Sequence, residues 1–368
     1  MIFEDIVGVE EEDVVDFLRE LSRGLRFVLF EFDKEVGDVG DIAEELGLST
    51  ATVSNVIHGK TKKISDETVK RVEELLEKRQ YIPSMAGILL AQNDSKIIGV
   101  VINDHEKYEG RVLEDGFISA CLNALMKEME RTGYFMMIKT VKETELHGII
   151  KFASMWNMEG LVLIGFCEQD YKKLREEMHI PFVVYDGYLK EMENLVNITI
   201  DHFDGGKQVG NYLKQMGHER VLCISDNDIC MDDERYRGLQ SVYPNAKRML
   251  VPMKKEERFS FYEKHFEEIK AYTAVFCVSD YYAIDLMYYL QAKGIIIPDQ
   301  ISIVGFDDSR ICEQARPGLT TVRQDNEKRA AVALRELLEL KGKKAVGKEI
   351  RLPVTIVERN SVKRINFS

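Results

Sequence analysis

From residue 96 to about residue 310, short apolar runs alternate with amphipathic helical stretches. The runs are 97–102, 134–138, 160–164, 181–185, 220–224, 274–278 and 301–305. Continuous apolar strands separated by amphipathic helices predict parallel sheets that are buried on both faces. The runs fall into two sets, about 96–200 and 201–310, which predict two Rossmann-like lobes. Because ligands of such folds bind at the carboxyl ends of the strands, we expect a ligand site in the cleft between the lobes.

Residues 39–83 show the 3.6-residue periodicity of short helices. Asp38 suits the N-cap of a first helix, in which Ile42, Ala43 and Leu46 form one apolar face. Gly47 suits the left-handed position that ends this helix and lets the chain turn sharply.

Two more helices follow this turn. Ser49 suits the N-cap of a second helix, and Ser65 suits that of a third helix that ends before Pro83. The inward positions are Val53, Val56 and Ile57 in the second helix and Val69, Val72, Leu75 and Leu76 in the third. The pattern predicts a helix-turn-helix whose second helix is exposed for the DNA major groove. Any small helical bundle has similar patterning, so the exact motif has to decide.

The motif resembles the signature of the LacI/GalR (lac repressor) family of bacterial transcription regulators. The matching segments are D-I-A at 41–43, G-L-S-T-A-T-V-S-N-V-I-H-G at 47–59, I-S-D-E-T at 64–68 and Y-I-P at 81–83. The resemblance continues into residues 84–91, where the family carries its hinge helix, and runs with gaps to residue 360.

The resemblance implies which residues contact DNA. Thr50, Ala51 and Asn55 match positions that face bases, and the family most often has arginine at the position of Asn55. Asparagine pairs with adenine whereas arginine prefers guanine, so we expect a shifted operator preference. Thr52 and Ser54 are candidates for phosphate contacts or for helix-capping hydroxyls, and Lys60 and Lys62 are candidates for contacts to the DNA backbone. His58 is a further DNA-binding candidate. For the lysines, an ordinary solvated loop is the alternative.

Leu90 falls where the family places a leucine that wedges into the minor groove at the operator centre. One such wedge from each subunit unstacks a base step and kinks the duplex. The alternative is that Leu90 only forms apolar contacts between linker and core. Gly87 weakens a hinge helix by about 1 kcal/mol relative to alanine, so we expect this helix to fold on DNA.

The core also resembles the family, in residues 201–206, 216–218, 235–238, 298–308 and 319–324. This resemblance makes Arg235 and Asp307 the best candidates for effector contacts. Asp280, which follows the predicted strand at 274–279, is a weaker candidate of the same kind. An arginine and a carboxylate at strand ends bind hydroxyl groups by charge-assisted hydrogen bonds. The alternative is an Arg–Asp pair that only ties the lobes together.

After the first strand, residues 103–108 depart from the family pattern. Asp104 and His105 lie at a predicted strand end, where they would bind a polyol or remain in a solvated loop. This departure leaves the identity of the effector open.

Charge and composition exclude few classes of protein. The net charge is −13, of which residues 1–38 contribute −8 and residues 39–92 only −1, so overall charge neither predicts nor excludes DNA binding. Six scattered cysteines predict neither a zinc site nor a disulfide framework. We find no apolar run of membrane-spanning length and no secretory leader, so we expect a cytoplasmic protein. No catalytic or nucleotide-binding motif is present, so we expect neither an enzyme nor a cofactor.

The acidic segment 1–38 is unusual, because family members begin only a few residues before the first helix. It is either a regulatory or dimerising arm or the product of a misassigned start, with Val39 as the true GTG start codon.

Together these observations predict an all-α helix-turn-helix head (39–83), a hinge helix and linker (84–95) and an α/β core (96–368). The core has two Rossmann-like lobes of periplasmic-binding-protein type I architecture. The resemblance implies a homodimeric repressor that binds a pseudo-palindromic operator and responds to a small molecule, such as a sugar or related metabolite. The alternative is a sugar-binding protein without a working DNA-binding role. Whether the small molecule releases the operator or promotes its binding stays open.

Overall fold

A computed structural model describes residues 38–81, 95–142, 146–166, 168–187, 194–341 and 347–365. The chain divides into two compact units, one that ends at Ser95 and one that begins at Lys96. The acidic segment before Asp38 and the predicted hinge with Leu90 lie outside the described residues.

The N-terminal unit is built from three helices, α1 (Val39–Leu46), α2 (Thr50–Ile57) and α3 (Asp66–Lys78). Asp38 and Asp41 form a reciprocal capping box, in which each side chain accepts a hydrogen bond from the backbone N–H of the other. Gly47 ends α1 with a φ of 65°, the left-handed conformation that favours glycine. The buried core consists of Ile42, Ala43, Val53, Val56, Val72 and Leu75. The predicted three-helix arrangement is therefore confirmed.

The first lobe of the core contains a six-stranded parallel sheet in the order β11-β5-β4-β3-β1-β2. Its strands are β1 (Ile97–Asn103), β2 (Phe135–Val141), β3 (Gly160–Ile164), β4 (Phe182–Tyr185), β5 (Leu195–Ile200) and β11 (Lys348–Leu352). Its helices are α4 (Gly116–Arg131), α5 (Leu146–Met155), α6 (Glu168–Glu177) and α13 (Asn326–Leu340). The strands of the sheet centre are entirely buried, as their apolar runs predict.

The second lobe contains a four-stranded parallel sheet in the order β7-β6-β8-β9. Its strands are β6 (Val221–Ser225), β7 (Lys247–Leu250), β8 (Ala274–Cys277) and β9 (Ser302–Val304). Its helices are α7 (His202–Gln215), α8 (Cys230–Gln240), α9 (Lys255–Lys264), α10 (Phe266–Lys270), α11 (Asp280–Ala292) and α12 (Ile311–Gln314).

The chain passes between the lobes more often than the sequence indicated. After the second lobe it returns through β10 (Thr321–Gln324) to α13 and β11 in the first lobe, and then goes back through β12 (Val354–Val357). Strands β10 and β12 pair antiparallel, so two of the crossings run side by side. The expectation of two consecutive lobes was therefore incomplete. Strand β11, Lys-Glu-Ile-Arg-Leu, lies at a sheet edge and is too polar to be recognised as a buried strand.

Within the described residues, no helix is long and apolar enough to cross a membrane.

Candidate DNA-binding surface and ligand cleft

Helix α2 presents a polar face opposite its buried side. Val53 and Val56 pack into the core of the head, whereas Thr50, Ala51 and Asn55 are exposed. The predicted base-facing residues therefore lie together on the outer surface of α2.

The other DNA-binding candidates differ in their local contacts. Ser49 Oγ caps α2 by accepting a hydrogen bond from the Thr52 backbone N–H, and its hydroxyl lies 2.9 Å from that of Thr52. The Thr52 hydroxyl is thus engaged in the cap, while Ser54 and His58 are half-buried. Lys60 and Lys62 are exposed just after α2, where an ammonium group would reach a phosphate backbone.

In the core, Asp186 is a buried carboxylate at the carboxyl end of β4, and it lies in the left-handed region with a φ of 58°. Its Oδ1 accepts hydrogen bonds from Thr199 Oγ1 (3.2 Å) and His202 Nε2 (3.0 Å) and pairs with Arg329 Nη2 (2.8 Å). Burial acts to raise the pKa of Asp186, but Arg329 and His202 outweigh it and hold that pKa well below its usual range.

His202 connects this carboxylate to the second lobe. Its Nδ1 accepts a hydrogen bond from Arg235 Nε at 3.2 Å, so its proton lies on Nε2, the nitrogen that donates to Asp186. Burial is the main cause that lowers the pKa of His202 to about 4, and Arg235 acts in the same direction. The imidazole is therefore neutral at physiological pH, with one tautomer fixed.

Arg235 is held on three sides. Its Nη1 donates to the carbonyl oxygen of Val278 at 2.5 Å, and its guanidinium carbon lies 3.8 Å from the ring centroid of Phe306. The same Nη1 lies 3.9 Å from Asp307 Oδ1. Burial raises the pKa of Asp307, and the positive charge of Arg235 opposes that shift. At 3.9 Å the two groups are too far apart for a direct hydrogen bond.

Gln324 closes the network into a ring. Its Nε2 donates to Asp307 Oδ1 at 2.7 Å, and its Oε1 accepts from Arg329 Nη1 at 3.2 Å. We call this set the lobe-bridging ring; its members are Asp186, His202, Arg235, Asp307, Gln324 and Arg329. Asp186 and Arg329 belong to the first lobe, while His202, Arg235 and Asp307 belong to the second. The ring therefore links the two lobes through side-chain contacts.

Close packing of two helices places Arg235 beside His202. A Cβ atom at Gly206 of α7 would lie 1.9 Å from the carbonyl oxygen of Arg235, and one at Gly238 of α8 would lie 2.0 Å from that of Phe203. The backbones of α7 and α8 therefore touch, which only glycine permits.

The carboxylate of Asp280 accepts three hydrogen bonds from neighbouring residues. Its Oδ2 accepts from the backbone N–H (2.8 Å) and hydroxyl (2.9 Å) of Ser309, and its Oδ1 accepts from Thr321 Oγ1 (2.6 Å). These bonds favour a structural role for Asp280 over direct contact with an effector.

Two cavities open in the cleft between the lobes, and Lys107 lines both. The first, about 210 Å³, is lined by His105 and Asp186 from the first lobe and by Asp226 and Asp232 from the second. The second, about 440 Å³, is lined by Asp115, Asp280 and Asp307, among other residues. A larger surface hollow of about 590 Å³ lies beside Val221, at the amino end of β6. It is at the opposite end of the strand from the cleft, so we do not assign it to the effector.

The predicted effector residues are distributed as follows. Arg235 and Asp307 lie within the lobe-bridging ring, and His105 Nε2 lies 2.8 Å from the carbonyl oxygen of Gly165 at the wall of the first cavity. Asp104 follows β1 at the same strand end, and its Oδ1 has no hydrogen-bond partner among the described residues.

Sequence reasoning missed Asp186, His202, Arg329, Lys107, Asp226 and Asp232. Because ligands bind at the carboxyl ends of parallel strands, Asp186 and Asp226 could have been found from the sequence. Asp186 directly follows the apolar run 181–185, and Asp226 lies two residues after the run 220–224. Arg329 gave no signal, because an arginine in an amphipathic helix normally faces solvent.

Within the described parts of the chain, no group of three or more His, Cys, Asp or Glu side chains is arranged to hold a metal ion.

Comparison with known proteins extends these observations. Residues 39–84 match a family described as "Bacterial regulatory proteins, lacI family", and residues 211–362 match a "Periplasmic binding protein-like domain". The HTH-type transcriptional repressor PurR of Vibrio atlanticus (strain LGP32) is 28% identical over 346 residues, which cover 89% of this chain and 99% of that protein.

Two solved structures show the same fold. The lac repressor dimer bound to operator and the anti-inducer ONPF has a TM-score of 0.74 at 22% identity, covering 89% of this chain and 99% of that one. The complex of transcriptional regulator CelR with cellobiose has a TM-score of 0.64 at 19% identity, covering 88% and 99%. With a helix-turn-helix head and a two-lobed core that both match, this chain belongs to the LacI/GalR family of DNA-binding bacterial transcription regulators.

Proposed function

We propose that the protein is a repressor that binds its operator as a homodimer and responds to a small molecule in the cleft between its lobes. The observation that carries the proposal is the exposed face of α2, where Thr50, Ala51 and Asn55 are presented while Val53 and Val56 are buried. A repressor acts on the chromosome, so we place it in the cytoplasm.

In this proposal Thr50, Ala51 and Asn55 read base edges in the major groove, and Lys60 and Lys62 bind phosphates. Asn55 pairs with adenine through its side-chain amide. Ser54 and His58 lie at the margin of this surface, and the engaged Thr52 hydroxyl supports α2 itself. Leu90, outside the described residues, would wedge into the minor groove between the two half-sites.

Exposed apolar side chains at sheet edges support a homodimer. Strand β2 lies at one edge of the first-lobe sheet and exposes Phe135, and β7 lies at an edge of the second-lobe sheet and exposes Leu250. Trp156, just after α5, is also exposed. Burying such patches drives association, and a two-fold dimer presents two heads to a pseudo-palindrome. The lac repressor structure is itself that of a dimer on its operator.

The cleft between the lobes is the proposed effector site. Its two cavities, about 210 and 440 Å³, together suit a small molecule, and CelR binds the sugar cellobiose. A ligand that touches both lobes favours one relative orientation, and the lobe-bridging ring has to accommodate that orientation. We propose that Asp104, His105, Arg235 and Asp307 contact the ligand.

The test is an exchange of base preference at Asn55. The operator is first recovered by selection from random duplexes, and its affinity is then compared with that of an operator carrying guanine for the adenine that Asn55 contacts. Asn55→Arg should shift preference toward guanine by about tenfold, because a bidentate contact is worth about 1–3 kcal/mol. The matched control is Glu73→Ala on α3, which should change no preference. Equal preference in Asn55→Arg and the unmodified protein would contradict the assignment of Asn55.

The alternative, a sugar-binding protein with no DNA role, is not favoured. The match over residues 39–84 is to a family of regulatory proteins, and the exposed face of α2 has no use in a protein that only binds sugar.

A further inference from the structure

Two carboxylates of the second lobe face the smaller cavity of the cleft. Asp226 accepts hydrogen bonds from the Tyr282 hydroxyl (2.6 Å) and from Asn227 Nδ2 (2.9 Å). Asp232 accepts from the same Asn227 Nδ2 at 2.9 Å and from the Ser225 hydroxyl at 3.3 Å. These donors are neutral, and among the described residues no lysine, arginine or histidine forms an ion pair with either carboxylate. Neither carboxylate therefore has a cation at hydrogen-bond distance among the described residues.

The chain's own Lys107 points toward this site from the first lobe. It lines the same cavity, and its ammonium lies 5.0 Å from the ring centroid of Tyr108 and 5.9 Å from that of Tyr282. The backbone is held there by the Tyr281 hydroxyl, which donates to the carbonyl oxygen of Lys107 at 3.0 Å. An ammonium thus already lies between aromatic rings and opposite the carboxylates, without direct contact with either carboxylate.

In the first lobe, two buried side-chain oxygens at the end of β1 accept no hydrogen bond from the described residues. Asn103 is buried at the carboxyl end of β1, where its Nδ2 donates to Gly165, but its Oδ1 has no partner among the described residues. The Oδ1 of Asp104, the next residue, is likewise buried and unpartnered in the described chain. Gly165 lines the smaller cavity, so the Asn103 amide lies directly behind the wall of that cavity. A buried acceptor without a donor is costly, so the part of the first lobe behind Gly165 carries more hydrogen-bond acceptors than donors.

We propose that this cavity binds a small molecule bearing a protonated primary amine, whose ammonium group contacts Asp226 and Asp232. An ammonium has three donors and no acceptor, which matches a wall that carries the two carboxylates. Anionic ligands such as sugar phosphates are excluded by the same carboxylates, because like charges repel strongly in a partly desolvated cleft. The proposal deepens the effector site described above and rests on it.

The test is chemical rescue of a variant that lacks the internal ammonium. In full-length Lys107→Met the amine is removed while most of the side-chain length is kept. Propylammonium chloride should then raise the melting temperature of Lys107→Met by several degrees more than equimolar NaCl or 1-propanol does, and more than it raises that of the unmodified protein. The matched control is Lys363→Met, an exposed lysine paired with Asp299, which should respond no more than the unmodified protein.

A second substitution identifies the carboxylates. In Lys107→Met with Asp226→Asn, the apparent affinity for propylammonium should fall about tenfold, since the ammonium then meets a neutral amide in place of an anionic carboxylate. If Lys107→Met does not fold alone, the yield of folded protein recovered with propylammonium rather than NaCl becomes the readout. Equal effects of propylammonium and NaCl on either readout overturn the proposal.

Natural ligand chemistry is probed with D-glucosamine and D-glucose on the unmodified protein. Stabilisation by D-glucosamine in excess of D-glucose supports the amine site, and equal or greater stabilisation by D-glucose overturns it. These outcomes are separable from the proposed function. If an operator is selected but amines do not stabilise the protein, the protein is a repressor whose effector is not an amine. If amines bind but no operator is selected, the protein binds a ligand without acting as a repressor.

Discussion

Asp186→Asn should destabilise the core by removing the charge at the centre of the lobe-bridging ring. The substitution keeps the shape of the side chain, so packing at the end of β4 is unchanged. It leaves Arg329 buried without its anionic partner, and the introduced amide offers one neutral oxygen to the three donors that now share Asp186 Oδ1.

The magnitude follows from burial. Arg329 and Asp186 are buried and lie 2.8 Å apart, and breaking a buried pair by removing one partner costs about 3–5 kcal/mol. Arg329 retains two bonds, to Gln324 Oε1 and to the Ile198 carbonyl oxygen, which place the expected loss near the lower limit, about 3 kcal/mol. The depressed pKa of Asp186 also contributes stability that is present above its unfolded pKa of about 3.9 and is lost as pH falls below it. Asp186→Asn should therefore lose less stability on acidification than the unmodified protein does.

The assay is urea unfolding of the full chain at about pH 7 and about pH 3, on either side of that unfolded pKa, followed by far-UV circular dichroism and by tryptophan fluorescence. Trp156 is the single tryptophan and lies in the first lobe, so fluorescence follows the core and not the head. The matched control is Asp299→Asn, which removes an exposed pair with Lys363 and should cost about 0–1 kcal/mol. If Asp186→Asn costs no more than this control at neutral pH, the ring does not hold the lobes as argued.

Three further predictions concern the second lobe and the head. Burial, followed by the nearby Asp226, raises the pKa of Asp232 to about 7, so the native state binds a proton that the unfolded chain releases near pH 4. Asp232→Asn should gain on the order of 3 kcal/mol over the unmodified protein as pH rises from about 4 to about 7, and a pH-independent difference in urea unfolding would count against this. Gly206→Ala forces a Cβ against the Arg235 carbonyl oxygen and should cost about 3 kcal/mol in the same assay, whereas Gly148→Ala, whose nearest neighbour is 3.8 Å away, should not destabilise; equal effects would refute the close contact of α7 and α8. Lys62→Ala should weaken DNA binding at all sequences and lower the salt slope by about 1, with Lys70→Ala as control and fluorescence anisotropy at several salt concentrations as the measurement.

Local patterning predicted the head well. Its caps, turn and core depend on residues close in sequence: Asp38 and Ser49 cap helices, Gly47 adopts a positive φ, and Val53 and Val56 are buried. Such short-range rules are strong when each agrees with the next.

The cleft was predicted less completely because its contacts are long-range. His202 follows β5 and could be seen at a strand end, but its partner Arg235 is 33 positions away, and Arg329 reaches Asp186 only because the chain returns to the first lobe after β10. No pattern within a helix indicates which distant carboxylate an arginine will meet. The sequence therefore supported Arg235 and Asp307 as candidates without revealing the ring to which they belong.

The measurement that tests the central claim most directly is selection of operator sequences from random duplexes by the purified full-length protein. The account predicts recovery of a pseudo-palindrome with two half-sites and a deformable central step, bound by two subunits. Recovery of no common sequence, with only weak and strongly salt-dependent binding, would contradict a dimeric, sequence-specific repressor.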